Sequence, residues 1–412
     1  TDAGTNRWGW ETVTPVGSIS EGLFSIHAAD IMTPVIYYRS YARAGGNEGW
    51  APLTASFTTQ SYTTWSQHLA MTVGAYTNAE TLYDFPLLVA LSTNISGFTY
   101  GAFGTSWYSL RFTDDQGWRL PYEVQSWDTN GSSYLWVRVA ALTNNAILHA
   151  WWGNAAATSA PSYTRDGSVW TPGYDGVWHL EPGLAESSGR SQAAGDYGST
   201  GVAGAVLQGR RFDGTNAYID PRVGTAWYDL NHDHLTVSFW VKPEVLADRA
   251  TPFGAETLNY NPGGSPSNRC LYVRMNTSPN SGKWWMAVHD AEKSLALYST
   301  TQWQLITLVL SNGTAYGSVN DGARVAITNY TDMVLGAAPL LGKRSGGTNA
   351  FRGTIDEFRL ARVARSAAWT QAEYSTITNP PQYGVVGPAG EINPDADGNG
   401  LDDWEDALWQ PT

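Results

Sequence analysis

The sequence predicts an all-β protein made of tandem β-sandwiches, and three features predict it. Charged residues make up only 15% of 412, whereas Gly (43), Trp (20) and Tyr (22) are abundant, the composition of short strands joined by tight turns. Apolar and polar residues alternate with a period of two. This is cleanest where Leu235, Val237, Phe239 and Val241 share one face and Thr236, Ser238 and Trp240 the other. Hairpin dipeptides punctuate these runs at Asn130-Gly131, Asn312-Gly313 and Asp321-Gly322. The length suggests about two to four domains, and 42% hydrophobic content lets each bury a core.

Residues 36–59 alternate aromatic and polar side chains and turn through Gly45-Gly46-Asn47, as two strands of a hairpin would. The text resembles the last strands of a fibronectin-type-III-like module. Such a module needs about 100 residues, so 1–59 is expected to be incomplete. Its missing strands would come from upstream residues of the same polypeptide or, by strand complementation, from a neighbouring subunit. The second route would favour self-association into fibres.

From 60 to 163 a second pattern takes over. Phe85–Leu91 reads as a buried strand, the stretch from Leu110 to Trp127 ends near the Asn130-Gly131 turn, and Tyr134–Ala140 and Ala146–Trp152 follow. The segments LRFTDDQGWRLPYEVQSWD, LWVRV and WWGN closely resemble domain-of-unknown-function family 2341, a β-sandwich usually found beside laminin-G-like modules.

Residues 164–387 contain Gly176-Val-Trp-His-Leu180, Phe212-Asp-Gly-Thr-Asn-Ala-Tyr-Ile219 and Gly353-Thr-Ile-Asp-Glu-Phe-Arg359. They resemble a laminin-G or concanavalin-A-like jelly roll. Trp303–Leu310 is apolar on both faces, as a strand covered on both sides would be. One helix is expected, over 366–375 with Ser366 as its cap, closing one end of the sandwich. Residues 388–412 read as a linker and a calcium loop.

That loop carries the strongest chemical signal. Counting from Asp395, oxygen side chains fall at Asp395, Asp397, Asn399, Asp403 and Asp406, with Gly400 at the sharp bend and the Leu401 carbonyl available. This is EF-hand-type spacing, and Ca²⁺ seeks about six to eight hard oxygen ligands. The stretch is similar to thrombospondin type 3 and dockerin loops. Asp at the last position, in place of a bidentate Glu, implies weak binding suited to extracellular calcium. The jelly-roll resemblance implies a second calcium site at Asp213 and Asp356, with Asn216 as a further candidate. The alternative is that Asp213 caps a turn and Asp356 pairs with Arg352 or Arg359.

No catalytic constellation is recognised. Glucanases on a jelly roll need carboxylates that share a strand face. Asp356 and Glu357 are adjacent, so a regular strand would point them to opposite faces. His232 and His234 have no third ligand near them in sequence, and no nucleotide-binding loop occurs. We therefore expect a protein that is not an enzyme.

A net charge of −13 excludes the basic footprint that nucleic acid requires. Cys270 is alone, so no internal disulfide can form, and no apolar run approaches the length of a membrane span. Most tryptophans are expected in cores, Trp151, Trp178 and Trp303 among them. Trp240, and one of the adjacent pair Trp284 and Trp285, should face outward and could line a glycan face or a protein interface. Two functions fit: a secreted or bacterial cell-surface structural or adhesive protein stiffened by calcium, or a carbohydrate-binding appendage of a larger polysaccharide-degrading enzyme.

Overall fold

The computed structural model describes residue 5 and residues 35–44, 47–58, 62, 64–74, 76–96, 98–170, 173–224, 233–256, 270–276, 282–288, 291–328, 338–344, 349–380, 385–386 and 390–391. The chain divides into two compact units, Thr1–Trp65 and Ser66–Thr412.

In the first unit β1 (Val35–Tyr38) pairs with β4 (Ala55–Thr58), and β2 (Tyr41–Ala44) forms a hairpin with β3 (Asn47–Trp50). Tyr41 and Trp50 pack across that hairpin at 4.8 Å. The expected incompleteness of this module turns on residues 1–34, which apart from Thr5 lie outside the described residues.

The second unit begins with a sandwich. One sheet has β6 (Leu82–Ser92), β10 (Ser132–Leu142) and β9 (Tyr122–Ser126) in that order. The other holds β5 (Gln67–Thr72), β11 (Ile147–Trp152), β7 (Arg111–Asp114) and β8 (Arg119–Leu120). Its edge is extended by β27 (Val385–Val386) and β28 (Gly390–Glu391), which both pair with β5. The chain therefore returns to this sandwich after completing the jelly roll, across the boundary expected at 387.

The jelly roll stacks an eight-stranded sheet on a seven-stranded one. The first runs β14 (Thr200–Ala203), β15 (Gln208–Asp213), β26 (Arg352–Ala361), β17 (His234–Pro243), β22 (Gln304–Ser311), β23 (Thr314–Val319), β24 (Val325–Thr328), with β12 (Tyr174–Trp178) also on β26. The second runs β13 (Gly195–Tyr197), β16 (Tyr218–Asp220), β25 (Leu340–Leu341), β18 (Phe253–Glu256), β19 (Cys270–Asn276), β20 (Lys283–Val288), β21 (Ala291–Leu297). The core between them takes the residues that alternation assigned to it, Leu235, Val237, Phe239 and Val241 included.

The other face of the eight-stranded sheet is also covered. Trp240 and Leu305 belong to the same apolar cluster as Phe85, Leu88, Trp136 and Val137 of the neighbouring sandwich. Helix α1 (Ala367–Thr378) mediates this contact. Ser366 caps it as expected, its side chain accepting the Trp369 N–H. Its place differs from the expectation: it lies against β6, where Trp369 meets Phe85 edge-on at 5.0 Å and Thr376 Oγ1 accepts the Leu88 N–H at 2.9 Å. A helix whose apolar residues face a second sheet is buried between layers and closes no end.

Trp369→Ala should therefore loosen both sandwiches together and cost about 3–5 kcal/mol. Hydrogen exchange followed by mass spectrometry on the full chain checks this. Protection should fall in β6 and β10 as well as in β17 and β22.

Candidate functional site

The two carboxylates nominated for calcium in the jelly roll are not brought together. Asp213 is exposed at a turn, where its Oδ1 accepts the N–H groups of Thr215 (2.8 Å), Asn216 (3.1 Å) and Ala217 (3.1 Å). The Thr215 hydroxyl donates to the other oxygen, and these bonds hold the Asp213 carboxyl well below the usual range. Asn216 serves that same turn through its backbone. In register Asp213 faces Arg352, four positions along β26 from Asp356, or about 13 Å at strand rise. Asp356 is fully buried and accepts the N–H groups of Val206 (2.9 Å) and Glu357 (2.8 Å). Burial first, then the charge of Glu357, pushes its carboxyl well above the ordinary range. No three His, Cys, Asp or Glu side chains are placed so that they could hold a metal ion together among the described residues. The loop Asp395, Asp397, Asn399, Leu401, Asp403, Asp406 lies outside them, as does His232.

Asp356 and Glu357 also depart from strand alternation. Glu357 has φ 49°, in the left-handed region, and the β17–β26 register shifts between Ser238 and Trp240. The resulting bulge turns both side chains away from the Ile355–Phe358 core face, into the junction with the neighbouring sandwich. There Glu357 accepts from His179 Nδ1 (2.8 Å), Arg359 Nη2 (2.8 Å) and Gln125 Nε2 (3.4 Å). Arg359 Nη1 donates to Glu373 Oε1 (3.2 Å), which also takes the Ser238 hydroxyl (2.7 Å). From the opposite sandwich Glu123 accepts Trp170 Nε1 (2.6 Å) and Ser187 Oγ (2.8 Å), and stands 3.7 Å from His179 Nε2. Arg359 lies over the rings of Trp136 (4.4 Å) and Trp170 (5.0 Å). A cavity of ≈ 240 Å³ adjoins this cluster, with Glu123, Arg165, Glu186 and Ser187 in its wall. The paired charges hold two layers together, an arrangement suited to rigidity.

The expected aromatic positions divide. Trp240 does point away from the jelly-roll core, but it is only 2% exposed because Tyr374 of α1 stacks on it at 5.6 Å. Trp284 is the inward member of its pair, its Nε1 donating to Gln304 Oε1 at 3.0 Å. Trp285 is the outward one, half-buried, with Arg274 5.3 Å from its ring. Trp178 is in the core and Trp303 only half-buried. Trp151 is buried on the outward face of its sheet, where His68 stacks on it at 4.1 Å.

Trp285 has company that sequence reading did not single out. Following the register, Ile219 pairs with Leu341, Leu341 with Phe253, Phe253 with Val273 and Val273 with Met286, all inward. The next residue along each strand points outward, so Tyr218, Arg274 and Trp285 share one cross-strand row with Tyr197, which pairs with Tyr218. From β16 to β20 the row spans about 19 Å at the ~4.8 Å strand spacing. Tyr272 stands one row away, its hydroxyl donating to Glu292 (2.7 Å) and its ring beneath Arg344 (4.9 Å). Gly254 makes this possible: a Cβ there would stand 2.9 Å from the Arg344 side chain. Arg274 grips Glu292 through two bonds of 2.9 and 2.7 Å.

Residues 213–371 match the concanavalin A-like lectin/glucanases superfamily in its laminin G form. The jelly roll is thus of concanavalin A-like type. Among solved structures the chain is similar to domain 4 of AbnA, a GH43 extracellular arabinanase from Geobacillus stearothermophilus, in complex with arabinotriose. Identity is 18% and TM-score 0.40, over 49% of this chain and 98% of that one. It is also similar to the binding domain of Paraclostridial Mosquitocidal Protein 1 (14%, 0.39, 50% and 53%) and to a mutant Trypanosoma rangeli sialidase displaying trans-sialidase activity (11%, 0.39, 63% and 44%). No curated protein matches. No helix among the described residues is long and apolar enough to cross a membrane.

Two histidines, His179 buried and His68 half-buried, set opposite pH limits. Although burial alone would lower it, Glu357 and Glu123 push His179 up to about 10. Its stabilising charge is fully present below the unfolded value of about 6.5 and is lost as pH rises from there towards 10. His68, lowered by burial and then by His149 at 2.7 Å, falls to about 4. The unfolded chain takes up that proton first, so stability falls between pH 6.5 and 4. Denaturant unfolding across pH should show a maximum near neutrality, and His179→Gln should flatten its alkaline limb.

Proposed function

We propose that the chain is a non-catalytic, carbohydrate-binding adhesive segment of an extracellular protein. In this reading saccharide lies along the outer face of the seven-stranded sheet. The carrying observation is the outward row that brings Tyr197, Tyr218 and Trp285 onto one face of a concanavalin A-like jelly roll. Aromatic side chains offer flat apolar area to the C–H faces of sugars at little entropic cost, and rigid strands keep them in place. The junction of buried ion pairs supports a stiff body whose part is to hold this face.

Retention of the full chain on a panel of insoluble polysaccharides tests the proposal. Saturable retention is expected, reduced at least tenfold by Trp285→Ala together with Tyr197→Ala, with no reducing ends released. Release of reducing ends would overturn the non-catalytic reading. Self-assembly without retention would favour a fibre subunit.

Calcium belongs to the same reading, on the spacing of Asp395, Asp397, Asn399, Asp403 and Asp406. Isothermal titration should give a dissociation constant between about 10⁻⁷ and 10⁻³ M, the range from sensor to extracellular loops. The pair Asp395→Ala and Asp397→Ala should abolish the heat, and unchanged heat would remove calcium from this loop.

A further inference from the structure

We propose that the β13–β16 edge of this face is a subsite for an acidic saccharide of the uronate class, formed by Tyr197, Tyr218, Arg222 and Lys343. This rests on the reading of the outer face as a saccharide surface. The tyrosines stack almost parallel, 4.3 Å apart at 2°, and Tyr197 is 46% exposed. The Lys343 ammonium lies 3.5 Å from the Tyr218 centroid and so occupies the far side of the pair. Arg222 comes in at the other side. A Cβ on Gly195 would stand 3.0 Å from Arg222 Nε and Nη2 and 3.1 Å from Tyr197 Cε2, so guanidinium and ring edge converge on a point that only glycine leaves empty.

The charges at this edge are unbalanced. Asp196 already accepts the Ser199 N–H (2.9 Å) and faces Arg210 at 3.8 Å. Asp220 accepts the backbone N–H of Arg222 (2.8 Å) and not its guanidinium. Among the described residues no carboxylate lies within ion-pair distance of Lys343 or of the Arg222 side chain. Two cations without an acid partner among the described residues, in a protein of net charge −13, mark a local preference for an anion.

The arrangement also selects the kind of anion. Lys343 already covers one side of the tyrosine pair, so a sugar must stack on Tyr197, beside Arg222. A guanidinium fork binds a carboxylate through two parallel hydrogen bonds. A saccharide whose sugars carry carboxylates offers both a ring face for Tyr197 and an acid for the Arg222 fork. A nucleic acid, with a charge every ~1.7 Å of duplex, would be repelled by the acidic remainder of the protein.

The test uses the full chain, in calcium-free buffer with EDTA, and compares polygalacturonate with its methyl ester and with a neutral glucan. Polygalacturonate should bind at least tenfold more tightly than its ester, and added salt should weaken that preference. The double variant Arg222→Gln, Lys343→Gln, at one exposed and one half-buried position, should erase the difference, and Tyr197→Ala should weaken binding of acid and ester alike. Equal affinity for acid and ester, or an unaffected double variant, would overturn the inference while leaving saccharide binding intact. Binding of no saccharide would overturn both. The acid–ester comparison is made on the unaltered protein, so it stands whatever the variants do to folding.

Discussion

The carboxylate of Glu357 has been taken out of water and must be answered by positive charge and hydrogen bonds, and the answers come from both sandwiches. His179 and Arg359 belong to the jelly roll, whereas Gln125 belongs to its neighbour. Glu123 supplies the second carboxylate for His179 from the same neighbouring sheet. Separating the layers would break the Gln125 bond and the Glu123–His179 pair, and would open an apolar surface to water on each side. Domain interfaces within a chain are usually small, polar and mobile. Here Leu88, Trp136, Trp240, Leu305 and Trp369 continue one apolar cluster across the boundary. The ion cluster fixes how those apolar surfaces register, because charge pairs tolerate displacement far less than apolar contacts do.

This constraint decides which surface is left to bind anything. Packing against the neighbouring sandwich takes the outer face of the central strands of the eight-stranded sheet out of reach of a ligand. Trp240 and Trp285 illustrate the consequence. Both alternate outward from the same core, yet Trp240 ends beneath Tyr374 and Trp285 beside Arg274. Strand pattern is identical for the two. The difference is the layer packed above, which strand periodicity does not encode.

The same distinction separates what was legible in the sequence from what was not. Alternation over Leu235–Val241, the doubly apolar β22 and the Ser366 cap are local, and each appears where local chemistry put it. The bulge at Glu357 carries no glycine or other local signal, so two adjacent acids that should diverge enter one junction. The return of β27 and β28 to β5 spans most of the chain and leaves no periodic trace. Asp213 and Asp356 were joined by family resemblance. The register separates them, and an Asp whose oxygens are spent on a turn has little to offer a cation. Trp285 was within reach of sequence reasoning. Its row was not, since Tyr197 and Tyr218 meet it only after the six strands from β13 to β20 have paired.

That row owes its geometry to residues on the opposite side of the sheet. Ile219, Leu341, Phe253, Val273 and Met286 are all buried, and slipping any strand by one residue would carry its apolar set into water. The outward side chains are therefore held by the core rather than by one another. A ligand reaching this face finds the backbone already fixed and has only side-chain freedom left to remove. Arg274, bound at both ends of its fork to Glu292, and Arg344, laid across Gly254 onto Tyr272, have already lost part of that freedom. At the β13–β16 edge Lys343 rests on Tyr218, while Arg222 lies beside Tyr197 with no acid partner among the described residues. Among the described residues the face thus grades from paired charge near β20 to unpaired charge near β13. Attraction for an acidic ligand should be strongest at the β13 end, with the remaining aromatic row available to the sugars that follow.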